Sequence, residues 1–336
     1  MNDQPIQGGY YPPPTPPRRS RNYMLPISCA VGCLPWLILG FLFVIFMAGM
    51  WGGGGEERSE HVALIRIGGV ITAGRSGSSF MGGSVTGSED VVDQLESARE
   101  NHQAKAVVIR VNSPGGSPAG SEEIYNAIRR LRKEGKPVYV SMGDVAASGG
   151  YYVAAACDRI YADQSSITGS IGVIYQSADM SQLFKKIGLS PEVVKSGKFK
   201  DIGSPNRPLT PEERKLIQGI VDATYGSFVE AVARGRGMSF EEVKALADGR
   251  VFTGTQALKL KLVDKIGGLH ETVIAAAAAA GIKGTPNLVE YRKRGWLESI
   301  LGAEESTEVG RRVEDAMVRR LMDRVLSEDS RPTGPR

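Results

Sequence analysis

The chain has 336 residues, and 41% hydrophobic with 23% charged residues is a globular balance, sufficient for a packed core in one large domain or two small ones. A net charge of +4, with no basic patch interleaved with aromatics, excludes nucleic acid as the expected partner. Three cysteines without a CxxC or Cys/His cluster exclude a zinc site and a disulfide framework, and Cys157 reads as buried packing.

Residues 1–22 are rich in Pro, Gly and Tyr and read as a disordered tail. Residues 23–51 carry no charge and are long enough for a bilayer, which needs about 20 apolar residues, so a transmembrane anchor is expected there. Arg18, Arg19 and Arg21 precede it and Glu56 and Glu57 follow. The positive-inside rule then places the tail in the cytoplasm and the rest outside. A cleaved signal peptide fits less well, because its apolar region is shorter, about 7–15 residues.

After a linker at 52–60, residues 61–72 alternate and branch like a strand. Residues 72–88, rich in Gly and Ser, read as a loop, and Ser88 opens a helix over 91–99. A buried strand at 105–111 runs into Asn112-Ser-Pro-Gly-Gly-Ser117 and then a helix to about Arg132. The plan repeats: a strand over 137–140, a corner, and a helix of small residues over 151–157. Strands follow at 159–162 and 191–195, with a short helix over 179–187 between them. Thr210-Pro-Glu-Glu213 starts a long helix with the apolar stripe Leu216, Ile217, Ile220, Val221, Tyr225, Phe228, Val229 and Val232, a pattern of core or subunit interface. Helices at 239, 254–260 and 269–280 precede a last strand at 287–291 and a charged helical extension over 293–336. Alternating strands and helices make the chain α/β.

Ser148 stands at the second corner, where free backbone N–H groups of a helix start point outward. Two successive strand ends with glycine-rich corners place Gly115, Gly116 and Ser148 on one side of the sheet, where an oxyanion hole could form between them. The plain alternative is an N-cap serine beside a turn. None of the three histidines, His61, His102 and His270, lies in a glycine-rich context, so a lysine base is favoured over a Ser-His-Asp triad. Lys198 and Lys200 would share one face of a strand, and spacing does not choose between them.

Four stretches, Asn112–Ser117, Gly143–Tyr151, Thr168-Gly-Ser-Ile-Gly172 and Ser196-Gly-Lys-Phe-Lys-Asp201, resemble those of the signal peptide peptidase A family of serine proteases. The resemblance covers about residues 61–292. It implies a ClpP/crotonase-like fold of repeated β-β-α units and a Ser/Lys dyad. Ser148 maps onto the nucleophile, Lys200 onto the general base, and Ser170 onto a serine that orients the lysine. The N–H groups of Gly116 and Gly149 map onto the oxyanion hole.

The resemblance also implies a membrane-anchored endopeptidase that cleaves remnant signal peptides and other apolar peptides. Its partners would be the lipid bilayer and further copies in a ring, an octamer by length, with the catalytic domain on the extracytoplasmic side. No cofactor, metal or nucleic acid is called for. Other readings are a protease of the same clan that regulates membrane proteins, a crotonase-like acyl-CoA enzyme, and an inactive membrane scaffold. Many family members have Gly where this chain has Lys261, so a left-handed turn there would carry a less comfortable residue.

Overall fold

The computed structural model describes residues 39–44, 59–78 and 84–292. The backbone separates into two compact units, 54–295 and a second made of 1–53 with 296–336. In the second unit only 39–44 is described, as a helical piece with exposed Leu39, Phe41, Leu42, Phe43 and Val44. Among the described residues no helix is long and apolar enough to cross a membrane. The expected transmembrane helix over 23–51 is therefore corrected, most of that stretch lying outside the described residues. The anchored function, the bilayer partner, and the single-pass topology with a cytoplasmic N-terminus and an extracytoplasmic catalytic domain rested on that helix and fall with it. The expected tail at 1–22 and the extension from 293 also lie outside the described residues.

The larger unit is α/β, built on one ten-stranded mixed sheet. Its strands are β1 (His61–Thr72), β2 (Gly77–Ser78), β3 (Ser84–Gly87), β4 (Ala104–Gly116), β5 (Val138–Ala147), β6 (Arg159–Ala162), β7 (Ile167–Gly169), β8 (Val251–Thr253), β9 (Lys265–Ile266) and β10 (Asn287–Glu290). Its helices are α1 (Ser88–Glu100), α2 (Pro118–Lys133), α3 (Gly149–Ala154), α4 (Ser181–Lys186), α5 (Pro211–Arg236), α6 (Phe240–Lys244), α7 (Gly254–Lys259) and α8 (Leu269–Ala279). The spine runs β2-β3-β1-β4-β5-β6-β9, parallel except at β2–β3.

The central strands are covered on both faces, which is why they read as unbroken apolar runs. Alternate residues of β1 and β4 enter opposite cores. Ala63, Ile65, Val107 and Ile109 meet Leu95 of α1 and Ile124, Ile128 and Leu131 of α2. Val62, Leu64, Ala106 and Val108 meet Val273, Ala276 and Ala277 of α8.

Three expectations need correction. In place of separate β-β-α units, β5 is a long strand whose two ends serve different neighbours. The start of β5 pairs with β6 and its end with β7. The loop expected over 72–88 holds β2 and β3. Residues 191–195 form no strand, because Val193 and Val194 lie exposed with no neighbouring strand to pair with. Of the α5 stripe, expected as core or subunit interface, Phe228, Val229 and Val232 are buried, whereas Leu216 and Ile220 face solvent. That helix has the expected start, a Thr210–Glu213 capping box with Pro211 in the first turn, and ends on Gly237 in the left-handed region.

Candidate active site

The end of β4 stays in the sheet although it reads Asn-Ser-Pro-Gly-Gly. Val70 and Ile71 of β1 pair with Gly115 and Gly116. Both glycines have positive φ, 101° and 154°, where a side chain is strained. An added Cβ at Gly115 would lie 2.6 Å from the Gly149 nitrogen and 2.8 Å from the Ser148 Cβ. One at Gly149 would lie 3.2 Å from the Gly116 nitrogen. The Pro-Gly-Gly backbone thus runs directly against the corner that carries Ser148, and only glycine permits that approach.

Ser148 occupies the N-cap position of α3 with φ 51° and ψ −120°. This is a strained conformation for a residue with a Cβ. Its side chain caps nothing, so the plain N-cap reading does not hold. The backbone is fixed instead: the Ser148 N–H donates to the Gly169 carbonyl at 2.9 Å, and its carbonyl accepts from the Tyr152 N–H at 2.9 Å. The result is a half-buried hydroxyl at a tight strand-to-helix corner, beside the start of a helix and a second glycine-rich strand end.

Ser170 enters through register. Ala147 of β5 pairs with Gly169 of β7, so Ser148 and Ser170 are the next residues on neighbouring parallel strands. Ser170 also has positive φ, 50°, and its N–H donates to the Arg250 carbonyl at 2.8 Å. Ser148, Ser170 and Lys261 are the non-glycine residues with positive φ among the described residues. Two of the three thus stand side by side.

Lys200 is not bonded to them. It is exposed on a half-buried run of turns over 196–203 rather than on a strand, its N–H donating to the Gly197 carbonyl at 3.2 Å. Among the described residues no hydrogen bond or ion pair joins its side chain to Ser148 or Ser170. Lys198 is engaged elsewhere, paired with Glu212. His61 is also placed away from this corner: its Nε2 lies 3.1 Å from the Tyr291 hydroxyl and its Nδ1 2.9 Å from the Ser59 carbonyl oxygen.

Sequence reasoning missed the charged groups around the lysine turn. Lys195 Nζ donates to the Lys198 carbonyl at 3.1 Å and to Asp201 Oδ1 at 2.6 Å. The Arg207 fork donates to both Asp201 oxygens, at 2.8 and 3.0 Å, and to both Glu213 oxygens, at 2.6 and 2.8 Å. Arg207, and after it Lys195, hold the Asp201 carboxyl well below the usual carboxylate range. Arg207 and the Thr210 N–H hold Glu213 down to about 2. The alternation of acid and base at 195, 201, 207 and 213 was the available signal. Cys157 is buried as expected, and burial pushes its thiol up, away from reactivity. Among the described residues no cluster of His, Cys, Asp and Glu could hold a metal.

Residues 130–283 match the profile of peptidase family S49. The chain is 42% identical over 209 residues to "Putative protease slr0021" of Synechocystis, covering 62% of this chain and 74% of that one. It is 37% identical over 224 residues to the chloroplastic serine protease SPPA of Arabidopsis thaliana, covering 66% of this chain and 33% of that one. It is also 37% identical over 223 residues to Protease 4 of Haemophilus influenzae, covering 65% and 35%. The shared stretch thus spans about a third of the latter two proteins. Among solved structures, a point mutant of ClpP1 from Listeria monocytogenes aligns at TM-score 0.40 and 14% identity, over 62% of this chain and 94% of that one, too slight a likeness to bear on the fold. A glycine-lined corner with an uncommitted serine, inside a stretch shared with these proteases, places the chain in peptidase family S49 as a serine protease.

Proposed function

We propose that Ser148 is the nucleophile of a peptide-bond hydrolase, with Lys200 as its general base. The observation that carries this is Ser148 itself, held at φ 51° with a hydroxyl that caps nothing, beside the Gly115–Gly116 backbone. Lys200 takes the proton from Ser148 Oγ as that oxygen bonds to the peptide carbonyl carbon. The N–H groups of Gly116 and Gly149 donate to the oxyanion. The C–N bond then breaks, the lysine ammonium protonates the leaving amine, and water, deprotonated by the same lysine, hydrolyses the acyl ester. Ser170, next to Ser148 in register, orients the lysine amine.

Lys200 is exposed and, among the described residues, bonded to neither serine. The segment that carries it displays Ile174 at 88% and Val194 at 95% exposure, with Leu216 and Ile220 exposed on α5. Such apolar exposure favours delivery by a second copy of the chain. The test is hydrolysis of a quenched apolar peptide, with fluorophosphonate labelling, for wild type, Ser148→Ala, Lys200→Ala and an equimolar mixture of the two variants. The reading expects label on Ser148 alone, both variants inactive, and activity regained in the mixture. Full activity of Lys200→Ala would refute the base. Two inactive variants whose mixture stays inactive would place both groups within one chain.

A further inference from the structure

We propose that Asp201, Arg207, Glu213 and Lys195 form a clamp that positions the Lys200 turn and keeps the neighbouring Asp201 carboxylate from holding the lysine proton. This rests on the reading of Lys200 as the base. The turn is gripped on both sides of Lys200: Lys195 holds the Lys198 carbonyl and Asp201, and Arg207 holds Asp201. Arg207 is anchored in turn on Glu213, whose side chain is 2% exposed and belongs to the capping box of α5. The 26-residue helix thereby fixes the turn through two carboxylates and one guanidinium.

The charges are also arranged for a base. Flanking Lys200 in the chain are Lys195, Lys198, Asp201 and Arg207, and these are paired with one another and with Glu212 and Glu213 at the start of α5. Lys198 is paired with Glu212, and the four clamp groups, two acids and two cations, neutralise one another. A carboxylate one residue from a catalytic amine, left unpaired, would favour the ammonium and suppress its action as a base. Here both oxygens of that carboxylate are occupied by other cations.

The test is the pH dependence of kcat/KM for the full chain and for Arg207→Met, Asp201→Asn and their double variant, with Lys200→Ala as control. Loss of Arg207 leaves one net negative charge, and the midpoint at which activity rises with pH should move up by about half a unit. Asp201→Asn leaves one net positive charge and keeps the side chain's shape, so its midpoint should move down by about as much. The double variant restores neutrality and should return to the wild-type midpoint while its kcat stays depressed, because the turn is no longer held. A merely structural clamp would lower activity and leave all midpoints alike. Midpoints for Asp201→Asn and the double variant within about 0.2 unit of each other would overturn the proposal. Should Arg207→Met not fold, Asp201→Asn alone decides it: an unmoved or upward midpoint overturns the clamp. Retained activity in Lys200→Ala would instead overturn the dyad reading, whatever the clamp variants do.

Discussion

Gly115→Ala should disable catalysis with little change in substrate binding. The added methyl would sit 2.6 Å from the Gly149 nitrogen, 2.8 Å from the Ser148 Cβ and 2.9 Å from the Ala147 carbonyl oxygen. Ordinary contact begins at 3.4 Å, so the Ser148 corner must retreat by about 0.8 Å. Displacements near 1 Å at reacting groups cost about 100-fold, and loss of one oxyanion donor costs about 100- to 1,000-fold in kcat. The φ of 101° adds backbone strain of about 1–2 kcal/mol to the folded state. The expected result is a fall in kcat of about 100-fold, KM within a few-fold, and a modest drop in Tm. Peptide hydrolysis by the full chain, with a thermal melt at equal concentration, measures all three. A folded variant with kcat within about threefold of wild type would refute the contact between the glycine strand and the serine corner as the source of the oxyanion hole.

Two further outcomes follow from single residues. Glu213 is held down to about 2 in the folded chain, so the stability it contributes is complete above its unfolded value near 4.3 and is lost as pH falls toward about 2. Glu213→Gln should therefore be less stable at pH 7 and show a shallower decline between about pH 4.3 and 2, read by denaturant melts across that range; parallel declines would refute the assignment. Lys261 has φ 60°, its N–H donating to the Leu258 carbonyl at 3.1 Å and its own carbonyl accepting from Arg236 Nε at 2.9 Å. Lys261→Gly should relieve the strain and stabilise the chain by about 0.5–1 kcal/mol with activity unchanged, and a lower Tm would show that the lysine stem packs usefully.

Ser148 was legible because a strand followed by a corner of small residues leaves few conformations open, and the same pattern appears at Pro114-Gly-Gly116. The extension of β4 through that corner was not legible, because glycine and proline read locally as a turn and only the pairing of Ile71 with Gly116 keeps the chain in the sheet. The lysine at 261, where many family members have Gly, put the left-handed turn in doubt, yet the chain keeps that turn, with φ 60°. Val193 and Val194 failed as strand signals because β propensity needs a neighbour to pair with. The stripe of α5 left core and subunit interface open, because periodicity reports an apolar face without saying what covers it. The clamp at Lys195, Asp201, Arg207 and Glu213 escaped notice because it is spread over turns and a helix start, where neither helical nor strand periodicity applies.

The pairing of β1 with the last described strand bears on where the domain ends. One edge of β1 is divided: β10 takes His61–Leu64, and β3 takes Val70–Thr72. The junction is fastened by Arg66 to Glu290 and by Asn101 Nδ2 to the Tyr291 hydroxyl at 2.8 Å. A fragment cut at residue 283, where the family match stops, would keep every residue of the serine corner yet bare four consecutive apolar-flanked backbone positions at the start of β1. Such an open rim is a template for strands of other molecules. The fragment would therefore clump through its first strand, and the minimal well-behaved protease unit runs at least through Tyr291.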